Sequence, residues 1–119
     1  MIGHGDSDIP DENQAYTIPQ MIEDLHTVIY YMVGESYYLM GYSMGARIAL
    51  SYALEYEREI KGLILESGSV GIASDAERAA RRKADEDLAV HIEEHDGAWF
   101  AARWAEAPIL RVKNSFQRG

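Results

Sequence analysis

A serine stands between two glycines where one sequence pattern gives way to another. The segment GYSMG, residues 41–45, ends a short apolar and aromatic run, SYYLMGY at 36–42, and opens the Ala- and Leu-rich stretch MGARIALSYALEYE. The first pattern predicts a strand buried on both faces, and the second predicts a helix packed against a sheet. A second apolar run, IKGLILESG at 60–68, predicts another buried strand. Strand, helix and strand in this order indicate a right-handed βαβ crossover, and therefore an α/β fold.

A helix is also predicted before the first strand. The opening GHGDSDIPDEN has turn composition without periodicity, and it is followed by apolar residues at helical spacing from Ile18 to Met32. Thr17 can cap this helix in a capping box with Gln20, and Gly34 can end it.

Two polar helices are predicted after residue 71. Ser74 and Glu77 form a second capping box, which opens a charge-rich helix to about His95. Gly97 breaks that helix, and AWFAARWAEA then predicts a shorter aromatic helix that Pro108 ends.

The change in composition at residue 71 indicates the domain organisation. Residues 1–71 are predicted to form the central part of an α/β core. Residues 72–108 form a helical cap or lid, and 109–119 form a tail.

Composition excludes several kinds of function. A net charge of −9 disfavours binding to a phosphate backbone, so no nucleic-acid partner is expected. The absence of cysteine excludes disulfides, thiolate catalysis and Cys-type zinc sites. No apolar run approaches the roughly 18 residues that span a bilayer, and the start lacks the layout of a signal peptide. We therefore expect a cytoplasmic protein without a membrane partner.

The histidines do not indicate a metal site. His91 and His95 are four residues apart with Glu94 between them, but they lack the H-E-x-x-H order and a third ligand. His4 is interpreted as a loop residue and His26 as lying on an ordinary helix face. We expect neither a metal nor another cofactor.

Ser43 itself allows two interpretations. It can be a small residue in a tight turn, or it can be the nucleophile of a G-x-S-x-G elbow, in which the turn forces the serine into a strained backbone conformation. In the elbow, small residues at 41 and 45 avoid collisions with the neighbouring strand and helix. The main-chain N–H of Met44, at the start of the helix, would then stabilise an oxyanion. The matched strand and helix favour the elbow.

Four segments, GHGDSD, GYSMGAR, GLILESGSVG and ERAARRKADEDLA, occur in an order that resembles the α/β-hydrolase superfamily. The similarity runs to about Pro108 and is greatest to the menaquinone-biosynthesis lyases of the MenH family. The resemblance implies a partial α/β-hydrolase fold with a cap. It also implies elimination of pyruvate from a small-molecule substrate that bears several carboxylates, with the triad removing a proton.

The resemblance also assigns roles to individual residues. It implies that Ser43 is the triad serine, that Met44 donates to the oxyanion hole, and that the substrate-binding residues are Tyr42, Arg47, Arg81 and Trp104. Guanidinium groups suit such a substrate because they can grip a carboxylate with two parallel hydrogen bonds.

The residues alone leave those binding roles open. Arg47 begins a polar stripe with Ser51 and Glu55 and can pair there, and Arg81 can pair with Asp85 one turn later on a solvated helix face. Aromatic residues at helical spacing, such as Trp104, usually pack in a core.

Other parts of the family pattern have no match. No histidine follows His95 and no strand follows GLILE, so the acid and histidine of a triad have no matching positions. Met1 resembles an internal residue of the family, and we expect a truncated product. Its open sheet edges predict self-association into a homo-oligomer. The alternatives are another α/β hydrolase, such as a carboxylesterase or peptidase, and a noncatalytic interaction module.

Overall fold

The computed structural model describes residues 1–107, so the predicted tail at 109–119 and the stop at Pro108 lie outside the described residues. The chain divides into two compact units, the first being Met1–Gly71 and the second beginning at Ile72. The first unit contains α1 (Ile18–Met32), β1 (Tyr37–Tyr42), α2 (Met44–Glu55) and β2 (Ile60–Glu66), with short 3-10 helices at Asn13–Tyr16 and Glu57–Glu59.

The two strands form a parallel sheet that α2 connects and covers. Register runs from Tyr37 opposite Ile60 to Tyr42 opposite Glu66, with an irregularity after Tyr37. One face of α2 is buried against the strands through Ala46, Ile48, Ala49 and Tyr52. The predicted order of strand, helix and strand is confirmed, and the arrangement is the one expected of a partial α/β-hydrolase fold.

Burial of the strands on both faces, as the sequence predicted, is wrong for the described residues. Successive side chains of a strand point to opposite faces, and the side chains of Tyr38, Met40 and Tyr42 are 60–73% exposed. On β2, Ile64 is paired with Met40 and is 52% exposed. The helices of the first unit pack on the other face, so within the described residues these four side chains form a bare apolar face.

Helix α1 begins and ends where its capping residues predict. The Oγ1 atom of Thr17 accepts a hydrogen bond from the main-chain N–H of Gln20. The side chain of Gln20 binds Asp24 instead of returning to the cap, so half of the predicted capping box forms. Gly34 adopts a φ of 80° directly after the helix, a conformation that suits glycine.

A polar and aromatic cluster joins the helices to the sheet at the end where the strands begin. Glu59 accepts hydrogen bonds from the Tyr37 hydroxyl at 3.2 Å and lies 3.1 Å from Nε2 of His26. The hydroxyl groups of Tyr37 and Tyr52 are 2.6 Å apart, and the His26 ring stacks on Tyr56 with centroids 3.9 Å apart. His26 therefore has a specific structural partner, which its position on a helix face did not indicate.

As far as residue 107, the second unit contains the two predicted helices, α3 (Asp75–Glu94) and α4 (Gly97–Ala105). Ser74 caps α3 by accepting from the N–H of Glu77. Asp96 caps α4 in the same way, accepting from Trp99 at 2.7 Å. Gly97 is therefore the first residue of α4, and the chain turns at His95 and Asp96. Within residues 1–107, no helix combines the length and the apolar content that a bilayer span requires.

Candidate active site

Ser43 connects β1 to α2 in a backbone conformation that residues other than glycine rarely adopt. Its φ is 53° and its ψ is −116°, which lies outside the left-handed helical region as well as the common regions. Such a conformation costs about 1–3 kcal/mol and persists only where the surrounding structure imposes it. The strained turn predicted for an elbow is thus confirmed, whereas the catalytic role of Ser43 remains a prediction.

A hydrogen bond and a close approach impose this conformation. The main-chain N–H of Ser43 donates to the carbonyl oxygen of Glu66 at 2.9 Å, which extends the contact between the strands into the turn. At Gly41, a Cβ atom would lie 2.3 Å from the carbonyl oxygen of Gly45 and 2.6 Å from the Cα of Ala46. Glycine at 41 is therefore required sterically, as predicted.

The matching prediction for Gly45 is wrong. A Cβ atom there would meet no heavy atom within 4 Å among the described residues. Gly45 belongs to the first turn of α2, and a side chain there would enter open space, whereas Gly41 lies on β1 against the main chain of that same turn. Only one of the two glycines of the motif is needed for the turn itself.

A glycine outside the motif makes a second close approach. A Cβ atom on Gly68 would lie 2.4 Å from the Cβ of Ala46, so the chain after β2 runs directly against the start of α2. Ser67 just before it has a positive φ of 54°. The sequence signal was the Ser-Gly pair after an apolar run, which the sequence analysis treated only as the end of a strand.

The groups that would perform chemistry at this turn are accessible. Ser43 is exposed, and its hydroxyl caps no N–H of the helix. The first N–H groups of a helix carry a partial positive charge and have no partner within the helix. The N–H of Met44 is one of these, and no acceptor for it lies among residues 1–107. A hydroxyl thus stands beside a free hydrogen-bond donor, an arrangement suited to stabilising a developing oxyanion.

Two of the predicted binding residues flank Ser43 in the first unit. Tyr42 precedes it and is 64% exposed on the bare face of the sheet. Arg47 is exposed on the first turn of α2. The hydroxyl of Ser51 binds the main-chain carbonyl of Arg47, and no carboxylate of the described residues pairs with its guanidinium. The alternative of pairing along a polar stripe is therefore not realised, and the guanidinium stays available.

The other two predicted binding residues belong to the second unit. The Nε atom of Arg81 lies 2.8 and 2.9 Å from the two carboxylate oxygens of Asp85, the helix-face pairing that composition favoured. Trp104 is 51% exposed, and its ring lies 5.4 Å from that of Phe100. Their substrate-binding roles remain predictions.

No histidine of the described residues contacts Ser43. His26 binds Glu59, which precedes β2, whereas Ser43 follows the end of β1. Six residues of strand separate these two ends by about 20 Å. No group of three or more potential metal ligands is found within residues 1–107.

Comparison with known proteins identifies the family. The model of the family described as serine aminopeptidase, S33, matches residues 1–96. The chain belongs to the serine aminopeptidase S33 family. A putative 2-succinyl-6-hydroxy-2,4-cyclohexadiene-1-carboxylate synthase of Bacillus subtilis is 32% identical over 92% of this chain and 40% of its own length.

Other relatives of this S33 chain carry two kinds of name. The synthase of the same name from Serratia proteamaculans is 37% identical over 71% of this chain and 33% of its own length. A proline iminopeptidase of Saccharolobus solfataricus is 37% identical over 56% of this chain. The solved structure of MenH from S. aureus superposes with a TM-score of 0.79 at 31% identity, covering 92% of this chain and 41% of that protein. The chain thus spans about a third to two fifths of the length of these synthase and MenH relatives.

Proposed function

We propose that this chain supplies the serine-bearing part of a MenH-like active site, in which Ser43 is the triad serine and the N–H of Met44 binds an oxyanion. The observation that carries the proposal is the backbone of Ser43, with a φ of 53° at the junction of a parallel strand and a helix. A turn that only reverses the chain would favour glycine at such a φ. Serine at this position accepts strain and exposes a hydroxyl group.

The proposed reaction is elimination of pyruvate from a small-molecule substrate with several carboxylates. The names of the B. subtilis and S. aureus relatives support this choice. The guanidinium of Arg47, one turn after the serine, has no carboxylate partner among residues 1–107 and supports this choice physically, because it can bind a carboxylate beside the reacting atoms. Tyr42, Arg81 and Trp104 are proposed to bind other parts of the substrate.

A serine hydroxyl needs a base, and removal of triad members leaves only weak residual catalysis. We therefore propose that the triad acid and histidine come from polypeptide that corresponds to the part of the relatives that this chain does not match. The proposed enzyme needs no cofactor, since the chemistry requires only a proton acceptor and an oxyanion donor. Its proposed location is the cytoplasm, with no nucleic-acid or membrane partner.

A chimera tests the proposal. The part of the B. subtilis relative that matches this chain is replaced by residues 1–107, and pyruvate release is measured by coupling to NADH-dependent reduction. The chimera should release pyruvate faster than the relative from which that part has been deleted. Ser43→Ala in the chimera should abolish this release. The matched control is Ser51→Ala on the same helix, which should release pyruvate at the rate of the unmodified chimera. A folded chimera that is inactive, or one in which Ser43→Ala keeps its rate, would reject the proposal.

A peptidase is the second candidate function. The proline iminopeptidase among the relatives and the description of the matching family favour it. The same chimera, assayed for cleavage of a proline anilide, distinguishes the two reactions. Arg47→Gln should weaken the elimination strongly but should have little effect on cleavage of an uncharged peptide substrate.

Self-association remains a separate proposal. The sheet has two strands in the described residues, and the face with Tyr38, Met40 and Tyr42 is bare. Exposed apolar faces and open edges favour association with a second copy. Light scattering of the purified chain should give a mass above that of a monomer, and Tyr38→Lys with Met40→Lys should lower it.

A further inference from the structure

A cavity in the first unit lies between the opening loop of the chain, α1 and α2. It has a volume of about 610 Å³, which is within the range of pockets that hold small organic ligands. One apolar wall is formed by Met21, Leu25 and Val28, which recur at helical spacing on α1, together with Ile48 of α2. The cavity therefore offers apolar surface on which a ligand can bury an apolar body.

The polar side chains that line this cavity are those of three aspartates and one serine. Asp6, Ser7 and Asp8 belong to the loop, and Asp24 belongs to α1. The carboxylate of Asp24 accepts a hydrogen bond of 3.0 Å from the side chain of Gln20. Among residues 1–107, the carboxylates of Asp6 and Asp8 form neither a hydrogen bond nor an ion pair. These two groups are therefore available to a cation.

The part of the chain around the cavity carries negative charge with little to oppose it. No lysine or arginine occurs before Arg47, whereas residues 1–46 contain seven aspartates and glutamates. The amino group of Met1 donates to Oγ of Ser7 at 3.3 Å and forms no ion pair with a carboxylate of the described residues. Charge of one sign along a cleft raises the local concentration of ions of the opposite sign. The cavity therefore favours a cationic ligand.

The placement of the carboxylates favours an organic cation over a metal ion. A bound Ca²⁺ or Mg²⁺ needs several oxygen ligands that converge on one point. No group of three or more potential metal ligands converges in this way within residues 1–107. An organic cation can instead bury its apolar body against α1 while its charged end reaches the loop. An ammonium group suits the carboxylates there, because its N–H groups donate charge-assisted hydrogen bonds.

The loop that carries Asp6 and Asp8 is held in place by other contacts. The main-chain N–H of Gly3 donates to the carbonyl oxygen of Asp8 at 3.0 Å, and the hydroxyl group of Tyr16 donates to the carbonyl oxygen of Pro10 at 2.8 Å. Gly3 has a φ of 72°, and a Cβ atom there would lie 3.1 Å from the Tyr16 ring. The two carboxylates are thus positioned before a ligand arrives, which lowers the entropy lost on binding.

We propose that this cavity binds an organic ammonium ion with an apolar body. Asp6 and Asp8 pair with the ammonium group, and the face of α1 that includes Met21 and Leu25 contacts the body. The proposal is independent of the proposed function, because neither Ser43 nor any residue proposed to bind the substrate lines the cavity.

The probe is n-hexylammonium, and the methionine methyl groups are the reporters. Of the five methionines in the chain, Met1 and Met21 line the cavity, whereas Met32, Met40 and Met44 do not. The full chain is labelled with ¹³C at the methionine methyl groups and observed in ¹H–¹³C spectra at constant ionic strength. Adding n-hexylammonium chloride should shift the Met21 signal with saturation and should leave the three methionines outside the cavity in place.

Two further ligands separate the charge from the apolar body. 1-Hexanol has the same carbon chain without the charge, and methylammonium has the charge without the chain. The alcohol should bind at least about tenfold more weakly than n-hexylammonium, because it forms no charge-assisted hydrogen bond. Methylammonium should also bind at least about tenfold more weakly, because it lacks the methylene groups that bury apolar surface.

Variants identify the carboxylates responsible. Asp6→Asn combined with Asp8→Asn should weaken n-hexylammonium binding by about tenfold or more. The matched control is Asp11→Asn combined with Glu12→Gln, which removes the same charge from the same loop at exposed residues that do not line the cavity. Its binding should stay within about threefold of the unmodified chain, since salt screens charges that lie outside the site. If circular dichroism shows that the first double variant loses helix, Asp6→Asn and Asp8→Asn are each compared with Asp11→Asn.

Four results would overturn the proposal. One is unchanged binding in the folded variants of Asp6 and Asp8, and another is an equal loss of affinity in those variants and in the control. The third is a neutral alcohol or methylammonium that binds as tightly as n-hexylammonium. The fourth is a shift of the Met40 or Met44 signal as large as that of Met21, which would show that the probe binds any exposed apolar surface.

Discussion

The main-chain N–H of Ser43 donates a hydrogen bond of 2.9 Å to the carbonyl oxygen of Glu66. This bond joins the first residue after β1 to the last residue of β2, so the neighbouring strand helps to hold the serine in its strained conformation. The sheet and the start of α2 therefore act together to fix the position of the Ser43 hydroxyl.

Relief of this strain is measurable. Ser43→Gly should raise the free energy of unfolding by about 1 kcal/mol, because glycine adopts a φ near 50° without steric cost. Ser43→Ala keeps the strain and should change stability by less than about 0.5 kcal/mol. Urea unfolding monitored by circular dichroism compares the three chains. Equal stability of the glycine and serine forms would show that the turn is not strained.

The two glycines of the motif should respond differently to a methyl group. Gly41→Ala brings a Cβ against main-chain atoms of Gly45 and Ala46, which cannot move without displacing α2. We expect a loss of about 2 kcal/mol or more in the free energy of unfolding. Gly45→Ala enters open space in a helix and should be neutral or stabilising by up to about 1 kcal/mol. Denaturant midpoints of the two variants test the difference, and equal losses would contradict it.

The contact between Gly68 and Ala46 predicts a compensating pair of substitutions. Gly68→Ala should destabilise the chain, since the two Cβ atoms would be 2.4 Å apart. Adding Ala46→Gly removes the collision, so the double variant should be more stable than the sum of the single changes by about 1–2 kcal/mol. A double-mutant cycle from urea unfolding measures this coupling. Strictly additive changes in the free energy of unfolding would mean that Gly68 and Ala46 are not in close contact.

Alkaline pH should weaken the first unit through its buried tyrosines. Burial, then the hydrogen bond to Tyr37, raises the pKa of Tyr52, and burial is also the main cause that raises the pKa of Tyr37. The folded chain thus holds these phenol protons more tightly than the unfolded chain. The contribution of these two phenols to the free energy of unfolding is therefore fully present below about pH 10. It decreases as the pH rises further, by about 1.4 kcal/mol per pH unit for each phenol.

Tyr52→Phe separates this effect from general alkaline denaturation. At neutral pH the free energy of unfolding of the variant should be about 1 kcal/mol lower, because the hydrogen bond to Tyr37 is lost. Above pH 10 it should fall less steeply than that of the unmodified chain. Tyr38→Phe, on the bare face of the sheet, is the matched control and should follow the unmodified chain. Urea midpoints between pH 8 and 11.5 provide the measurement. An unaltered slope in Tyr52→Phe would contradict the assignment.

Local signals in the sequence predicted the elements and the turn correctly. Thr17 and Ser74 cap the helices that their spacing indicated, and the apolar runs around Ser43 become the strand and helix of the elbow. Each of these features depends on residues within one or two turns of each other, so periodicity and capping chemistry were sufficient.

Features that depend on distant residues were missed. His26 and Glu59 are 33 positions apart, and Gly68 meets Ala46 only after the chain has passed through a helix and a strand. The bare face at Tyr38 was also mispredicted, since an apolar strand has the same composition whether one or both of its faces are covered within a given length of chain.

The polar and aromatic cluster around Glu59 lies where the strands begin, and Ser43 lies where they end. The interactions that fasten the helices to the sheet are therefore separated from the exposed turn by the length of a strand. Substitutions around the turn that suit a different reaction would therefore leave the contacts of the Glu59 cluster unchanged. This separation allows related chains to differ in the reaction they catalyse while they keep the same stabilising contacts.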